Sequence, residues 1–150
     1  MNWDQVLKSF REIDWDIDTD LIDSIRLDDE DISLPRDLKV LYNTPINPPL
    51  KELILYFPKT RYPEEHFPPK REIYRSERGF TPFEILGAIY TFYNKPISRE
   101  VLELYADEDV EYAEEALQAE NPKRIYLLGS MIRFTGLEPY EDGYEVSLET

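Results

Sequence analysis

The chain has 150 residues, and its 32 Asp and Glu against 17 Lys and Arg give a formal charge of −15. Hydrophobic residues at 41% and aromatics at 13% suffice for a packed core, which excludes a disordered chain, and the length fits one domain. So acidic a surface repels phosphate backbones and anionic lipid and favours solubility or a basic partner, while the absence of cysteine excludes disulfides, zinc–thiolate sites, iron–sulfur clusters and thiol nucleophiles.

Charge divides the chain in three: −8 over residues 1–38, +3 over 39–78 and −10 over 79–150. The first part opens on a short helix. Asn2 is its cap, Gln5 stands at the capping-box position, and Trp3, Val6, Leu7 and Phe10 share one face. Leu21, Ile22 and Ile25 predict another short helix or turn, and Asp28-Asp29-Glu30-Asp31 a solvated loop.

The middle part holds seven of the twelve prolines and reads as extended chain. Lys39–Tyr42 and Glu52–Phe57 are β-branched or aromatic runs, expected to pair across the Thr44–Pro49 connection. Pro45-Ile46-Asn47-Pro48-Pro49 has PxxP spacing, for which a structured crossover is the favoured reading. Prolines 58, 63, 68 and 69 break regular structure, and Arg71–Arg75 predicts one more short strand.

Thr81-Pro82-Phe83-Glu84 starts a helix with three concordant signals: a Thr cap, Pro at the first position and Glu at the third. Phe83, Leu86, Ile89, Tyr90 and Tyr93 form its stripe, widened by Ile85, Ala88 and Phe92, which marks a central helix. Ser98 caps a second helix through Val101, Leu102 and Tyr105, and Val110, Ala113 and Leu117 support a third. Ile125–Met131 fits a short apolar helix or a strand equally well. Tyr144, Val146 and Leu148 alternate with Glu145, Ser147 and Glu149 after a turn with Asp142-Gly143, so the carboxyl end reads as a β-hairpin. The expected fold is α+β, a single compact domain over 1–150. A short N-terminal helix and proline-rich extended segment occupy 1–78, and a helical cluster ending in the hairpin occupies 79–150.

Chemistry-bearing patterns are sparse. Asp16, Asp18 and Asp20 have the spacing that opens a calcium loop, but Leu21 and Leu27 stand where Gly and Glu are needed. His66, the one histidine, lies in a proline-flanked stretch with no nucleophile motif beside it. The five glycines form no phosphate-binding loop. No cofactor, metal or catalytic residue is therefore expected. A basic patch with interleaved aromatics runs through 59–78, including Tyr62, Lys70, Arg71, Tyr74 and Arg75, at a net +2. It suits single-stranded nucleic acid in kind, but internal pairing of its arginines with the acidic flanking segments is the favoured reading.

Gly79–Ser98, with its aromatic-Tyr93-Asn94-Lys95-Pro96 ending, resembles a group of uncharacterised proteins of large nucleocytoplasmic DNA viruses. Arg133-Phe134-Thr135-Gly136-Leu137-Glu138 and Asp142–Leu148 share the likeness, which covers about residues 79–150. It implies a viral, intracellular setting and brings no activity or functional residues.

The functional expectation is a non-enzymatic acidic interaction or structural protein, intracellular, binding a basic protein or a second copy of itself. Aromatics anchor interfaces at low entropic cost. The contact candidates are Tyr56, Tyr62, Tyr140 and Tyr144 with Lys70, Arg71, Tyr74 and Arg75. Nucleic acid and membrane are not expected partners. One alternative is a winged-helix-like nucleic-acid module with the hairpin as wing and 59–78 as contact. A carboxylate enzyme using a divalent metal is another.

Overall fold

The computed structural model describes residues 1–19, 25–27, 34–58, 70–109 and 111–150. The expectations for Asp20, Leu21, Ile22, Asp28–Asp31, Tyr62, His66 and Val110, and for residues 59–69 of the basic patch, lie outside the described residues.

Helix α1 (Trp3–Glu12) has the expected reciprocal cap. The Asn2 side chain accepts from the Gln5 N–H at 2.8 Å, and the Gln5 side chain accepts from the Asn2 N–H at 2.9 Å. Its apolar face buries Val6, Leu7 and Phe10. Short strands β1 (Ile13–Asp14) and β2 (Arg26–Leu27) then pair antiparallel. Beyond β1 the backbone bonds along the carboxyl-terminal hairpin, with the Phe134 N–H donating to Trp15 O and the Ile17 N–H to Ile132 O, each at 2.9 Å.

Residues 36–42 depart from the extended run expected over Lys39–Tyr42: Arg36–Tyr42 is helix α2. The cause is tertiary. As a helix, the segment turns Tyr42 inward between the rings of Phe10 and Phe83, at centroid distances of 6.0 and 5.2 Å, while Val40 and Leu41 stay exposed. A short run with three apolar residues, Val40, Leu41 and Tyr42, fits either element, and the contact available to Tyr42 decides between them. The Thr44–Pro49 connection is a structured crossover, tied by Asn47 N–H to Met1 O and Ile46 N–H to Phe80 O, each at 3.0 Å.

Strand β3 (Glu52–Phe57) therefore pairs elsewhere, antiparallel to β4 (Lys70–Arg75) and parallel to β6 (Gly143–Glu149). Strand β5 (Arg133–Tyr140) completes the hairpin with β6, and the sheet order is β4-β3-β6-β5. The hairpin is not a projecting wing, because β6 is an inner strand of this mixed sheet.

Helix α3 (Pro82–Tyr93) carries the expected capping box, Thr81 with Glu84, and buries Ile85, Leu86, Ile89, Phe92 and Tyr93. It packs on the sheet through Phe57, whose ring stacks on Phe92 at 3.7 Å and meets Tyr93 edge-on at 5.5 Å. The described residues bury no charged side chain and leave no buried side-chain polar atom without a hydrogen bond. Helix α4 (Arg99–Asp107), capped by Ser98, and α5 (Ala113–Leu117) pack with a 3-10 helix (Arg124–Leu128) around their own small cluster of Leu102, Ala113, Ala116 and Leu127. That 3-10 turn is what the ambiguous apolar run at 125–131 becomes. The class is α+β, as expected. No helix among the described residues is long and apolar enough to cross a membrane.

Candidate interaction surfaces

Alternation along the strands gives the sheet two chemistries. Leu53, Leu55, Phe57, Leu137 and Val146 are buried on the helix-covered face. Arg71, Ile73 and Arg75 of β4 lie beside Tyr56, Ile54 and Glu52 of β3 on the other.

On that outer face two of the expected contact residues converge on one carboxylate at the hairpin turn, and a third packs beside them. Asp142 accepts from the Tyr56 hydroxyl at 2.5 Å and from the Arg71 guanidinium at 2.6 and 3.3 Å, and the Tyr140 ring stands edge-on to Tyr56 at 4.8 Å. The Arg71 hydrogen bond, then that of Tyr56, holds the Asp142 carboxyl down at about 2. Tyr56 is pushed up, chiefly because its phenol donates to that carboxylate. The cluster fastens the β5–β6 turn to β3 and β4, across 86 and 71 residues of sequence.

The other candidates are placed apart from it. Arg75 pairs with Glu52 across the ladder at 3.1 Å, and Lys70 meets Glu72 at 3.7 Å. Tyr144 lies on the inner face, where its hydroxyl accepts from the Trp3 indole N–H at 2.9 Å. Tyr74 is half-buried against the core, and burial first, then Glu72, pushes its phenol up to about 12, with Arg124 opposing. The Arg71–Asp142 pair joins the basic segment to the acidic carboxyl-terminal part, as the internal-pairing reading expects.

The acid excess has an address. Residues 99–120, which make up α4, α5 and their connection, hold nine acids and one base. All nine acids are exposed. The one base, Arg99, is used internally: its guanidinium donates to the carbonyls of Leu117 and Ala119 at 2.6 and 2.7 Å, closing the end of α5. Leu104 stands 64% exposed among these acids. A recess of about 250 Å³ opens there, lined by Ala106, Asp109, Tyr112, Glu114 and Glu115. Asp109 and Tyr112 take left-handed backbone at its rim, and the Tyr112 phenol is raised mainly by the neighbouring Glu111 charge.

The minority charge is collected too, at a place the sequence reading missed. Four of the five bases in 79–150 lie in Lys95–Arg99 and Lys123–Arg124. An antiparallel bridge between Pro96 and Lys123 joins these stretches, with the Ile97 N–H donating to Pro122 O and the Arg124 N–H to Lys95 O. The available signal was a pair of similar tripeptides, Asn94-Lys95-Pro96 and Asn121-Pro122-Lys123. Among the described residues, no group of three or more His, Asp or Glu side chains is placed to hold a metal ion.

No protein-family model, curated protein or solved structure matches the chain.

Proposed function

We propose that this chain is a non-enzymatic interaction module that binds a basic protein through the acidic lobe of α4 and α5. One observation carries the reading: nine exposed acids share residues 99–120 with a single base, and that base is bonded to backbone carbonyls of the same lobe. At physiological salt the Debye length is about 8 Å, so carboxylates spread over two short helices act on a partner together only near contact. Exposed Leu104 supplies an apolar anchor within the charged field, and the recess beside Tyr112 has room for a Lys or Arg head group. The likeness of residues 79–150 to proteins of large DNA viruses makes an infected cell the proposed setting.

The test is capture of proteins from host-cell lysate by the tagged full chain, washed at low and then high salt. The reading predicts basic proteins retained at low salt and released at high salt. Retention that does not change with salt contradicts it. Recovery of the chain alone, with a doubled mass in sedimentation, replaces the partner with a second copy.

A further inference from the structure

Strand pairing sets the outer face of the sheet in rows. Arg71 lies beside Tyr56, Tyr56 beside Glu145, and Glu145 beside Glu138. In the next row Ile73 lies beside Ile54, and Gly143 beside Tyr140. Ile54 and Gly143 are neighbours in that row, because a Cβ added to Gly143 would come within 2.7 Å of the Ile54 Cβ. One step further, Arg75 lies beside Glu52, and the turn of Glu141 and Asp142 follows Tyr140.

The two margins of this face are therefore complementary at matching heights. β4 presents Arg71, Ile73 and Arg75, and the hairpin presents Glu138, Tyr140 and Glu141 on the same three rows. The order matches because β4 and β5 run in the same direction, β3 and β6 being parallel and each antiparallel to its outer neighbour. Ile73 is 40% exposed and the Arg75 side chain 72% exposed. Glu138 and Glu141 are exposed and form no ion pair among the described residues. Ile54 and Tyr140 are half-buried, so an apolar row open to water runs between two charged ones.

We propose that this face packs on the same face of a second copy of the chain, about a two-fold axis parallel to the strands. Such an axis keeps every row at its own height and exchanges the margins, so β4 of one copy lies over β5 of the other. Arg75 then faces Glu141 of the second copy, Ile73 faces Tyr140 and Arg71 faces Glu138, and each contact is made twice. An axis across the strands would instead lay arginine on arginine. Arg75 bonds Glu52 through Nε, which leaves its terminal N–H groups for a second carboxylate. Facing sheets pack about 10 Å apart, a gap that pairs of long side chains span. Four strands about 4.8 Å apart and five residues of about 3.3 Å make a patch of roughly 19 by 17 Å, at the small end of specific interfaces, so the dimer is reversible. At 0.15 M salt the Debye length is about 8 Å, and acids away from the contact oppose it little. None of the contact residues lies in 99–120, so this pairing is independent of the acidic lobe.

The experiment is sedimentation equilibrium of the full chain in 0.15 M salt, from about 10 μM to 1 mM. The unaltered chain is expected to rise from 17.9 kDa toward twice that mass. Arg75→Glu alone and Glu141→Arg alone each set like charges together in both copies of the contact, and each is expected to weaken association about tenfold or more. Mixed in equal amounts, these two variants form opposite-charge pairs in both contacts, and association is expected to return. Ile73→Asp is expected to abolish it, and neutralising Glu100, Glu103 and Asp107 on α4 to leave it unchanged. Far-ultraviolet dichroism and the thermal midpoint check that each variant is folded. A single-chain mass across the whole range would overturn the proposal. So would a dimer that either charge reversal leaves intact, or one that the mixture fails to restore.

Discussion

Asp142 is the single residue on which the outer face of the sheet turns. Its carboxyl is depressed from 3.8 to about 2 by Arg71 and then Tyr56, so the folded form holds a charge that the unfolded chain would lose near pH 4. The stability it contributes is present above that pH and disappears as pH falls toward 2. Asp142→Asn should therefore lower the thermal midpoint at neutral pH, with the gap to wild type closing between pH 4 and 2. A gap that stays constant through that window would remove the carboxylate from the account. Tyr42 works at the other end of the scale. Burial pushes its phenol up to about 12, against the opposing effect of the Ser9 hydroxyl 2.6 Å away. A folded value above the unfolded value of 10 means stability that is full below pH 10 and is lost as pH rises through 12, by roughly 3 kcal/mol. Tyr42→Phe is expected to cost about 1 kcal/mol at pH 7 through the lost hydrogen bond, and to soften the alkaline decline. Tyr74, also raised to about 12, keeps the decline from vanishing. Urea midpoints at neutral and alkaline pH measure both effects.

Among the elements, those whose reasons are local were legible in the sequence. Asn2 with Gln5 and Thr81 with Glu84 each lie three residues apart and satisfy one another's backbone, so the starts of α1 and α3 needed nothing from the rest of the chain. Thr81→Ala should cost about 1 kcal/mol in denaturant unfolding. The alternation from Tyr144 to Leu148 was likewise enough for a strand, with Val146 buried at its centre and Tyr144 and Leu148 packed against the core on the same face. Pairing was the harder problem. Helix α2 depends on Phe10 and Phe83, which are far from it in sequence. The parallel join of β3 to β6 depends on Gly143, where an added Cβ would meet the Ile54 carbonyl and come within 2.7 Å of the Ile54 Cβ. Nothing near Gly143 in sequence announces that contact. Gly143→Ala is expected to cost about 1–3 kcal/mol, as overpacking against backbone does, and to raise amide exchange along β6 while leaving α4 unaffected. Uniform exchange across the molecule would speak against a local join.

Across the whole molecule, net charge was legible and its distribution was only partly so. A value of −15 predicts a basic partner but not where it would sit. Folding sorts the charges: acids onto the surface of α4 and α5, arginines of the 70–75 strand into pairs with Asp142 and Glu52, and scattered lysines to the bridged turns beside Arg124. The expected contact tyrosines illustrate the difficulty. Tyr56 and Tyr144 look alike in sequence, yet the first donates to Asp142 on the outer face and the second accepts from Trp3 on the inner one. Their roles follow from strand parity and register, which a single strand's sequence does not contain.

The acidic lobe is best tested by two charge-neutralised variants of equal net charge. Glu100, Glu103 and Asp107 neutralised together as Gln, Gln and Asn would be compared with Glu77, Glu138 and Glu141 neutralised as Gln. Each set removes three negative charges, from the lobe or from elsewhere. Affinity for a labelled Lys- and Arg-rich amphipathic peptide is then measured at low and moderate salt. The account predicts a loss of about tenfold or more, with a shallower salt dependence, for the lobe set alone. Equal losses in both sets, or no binding by the unaltered chain, would contradict it.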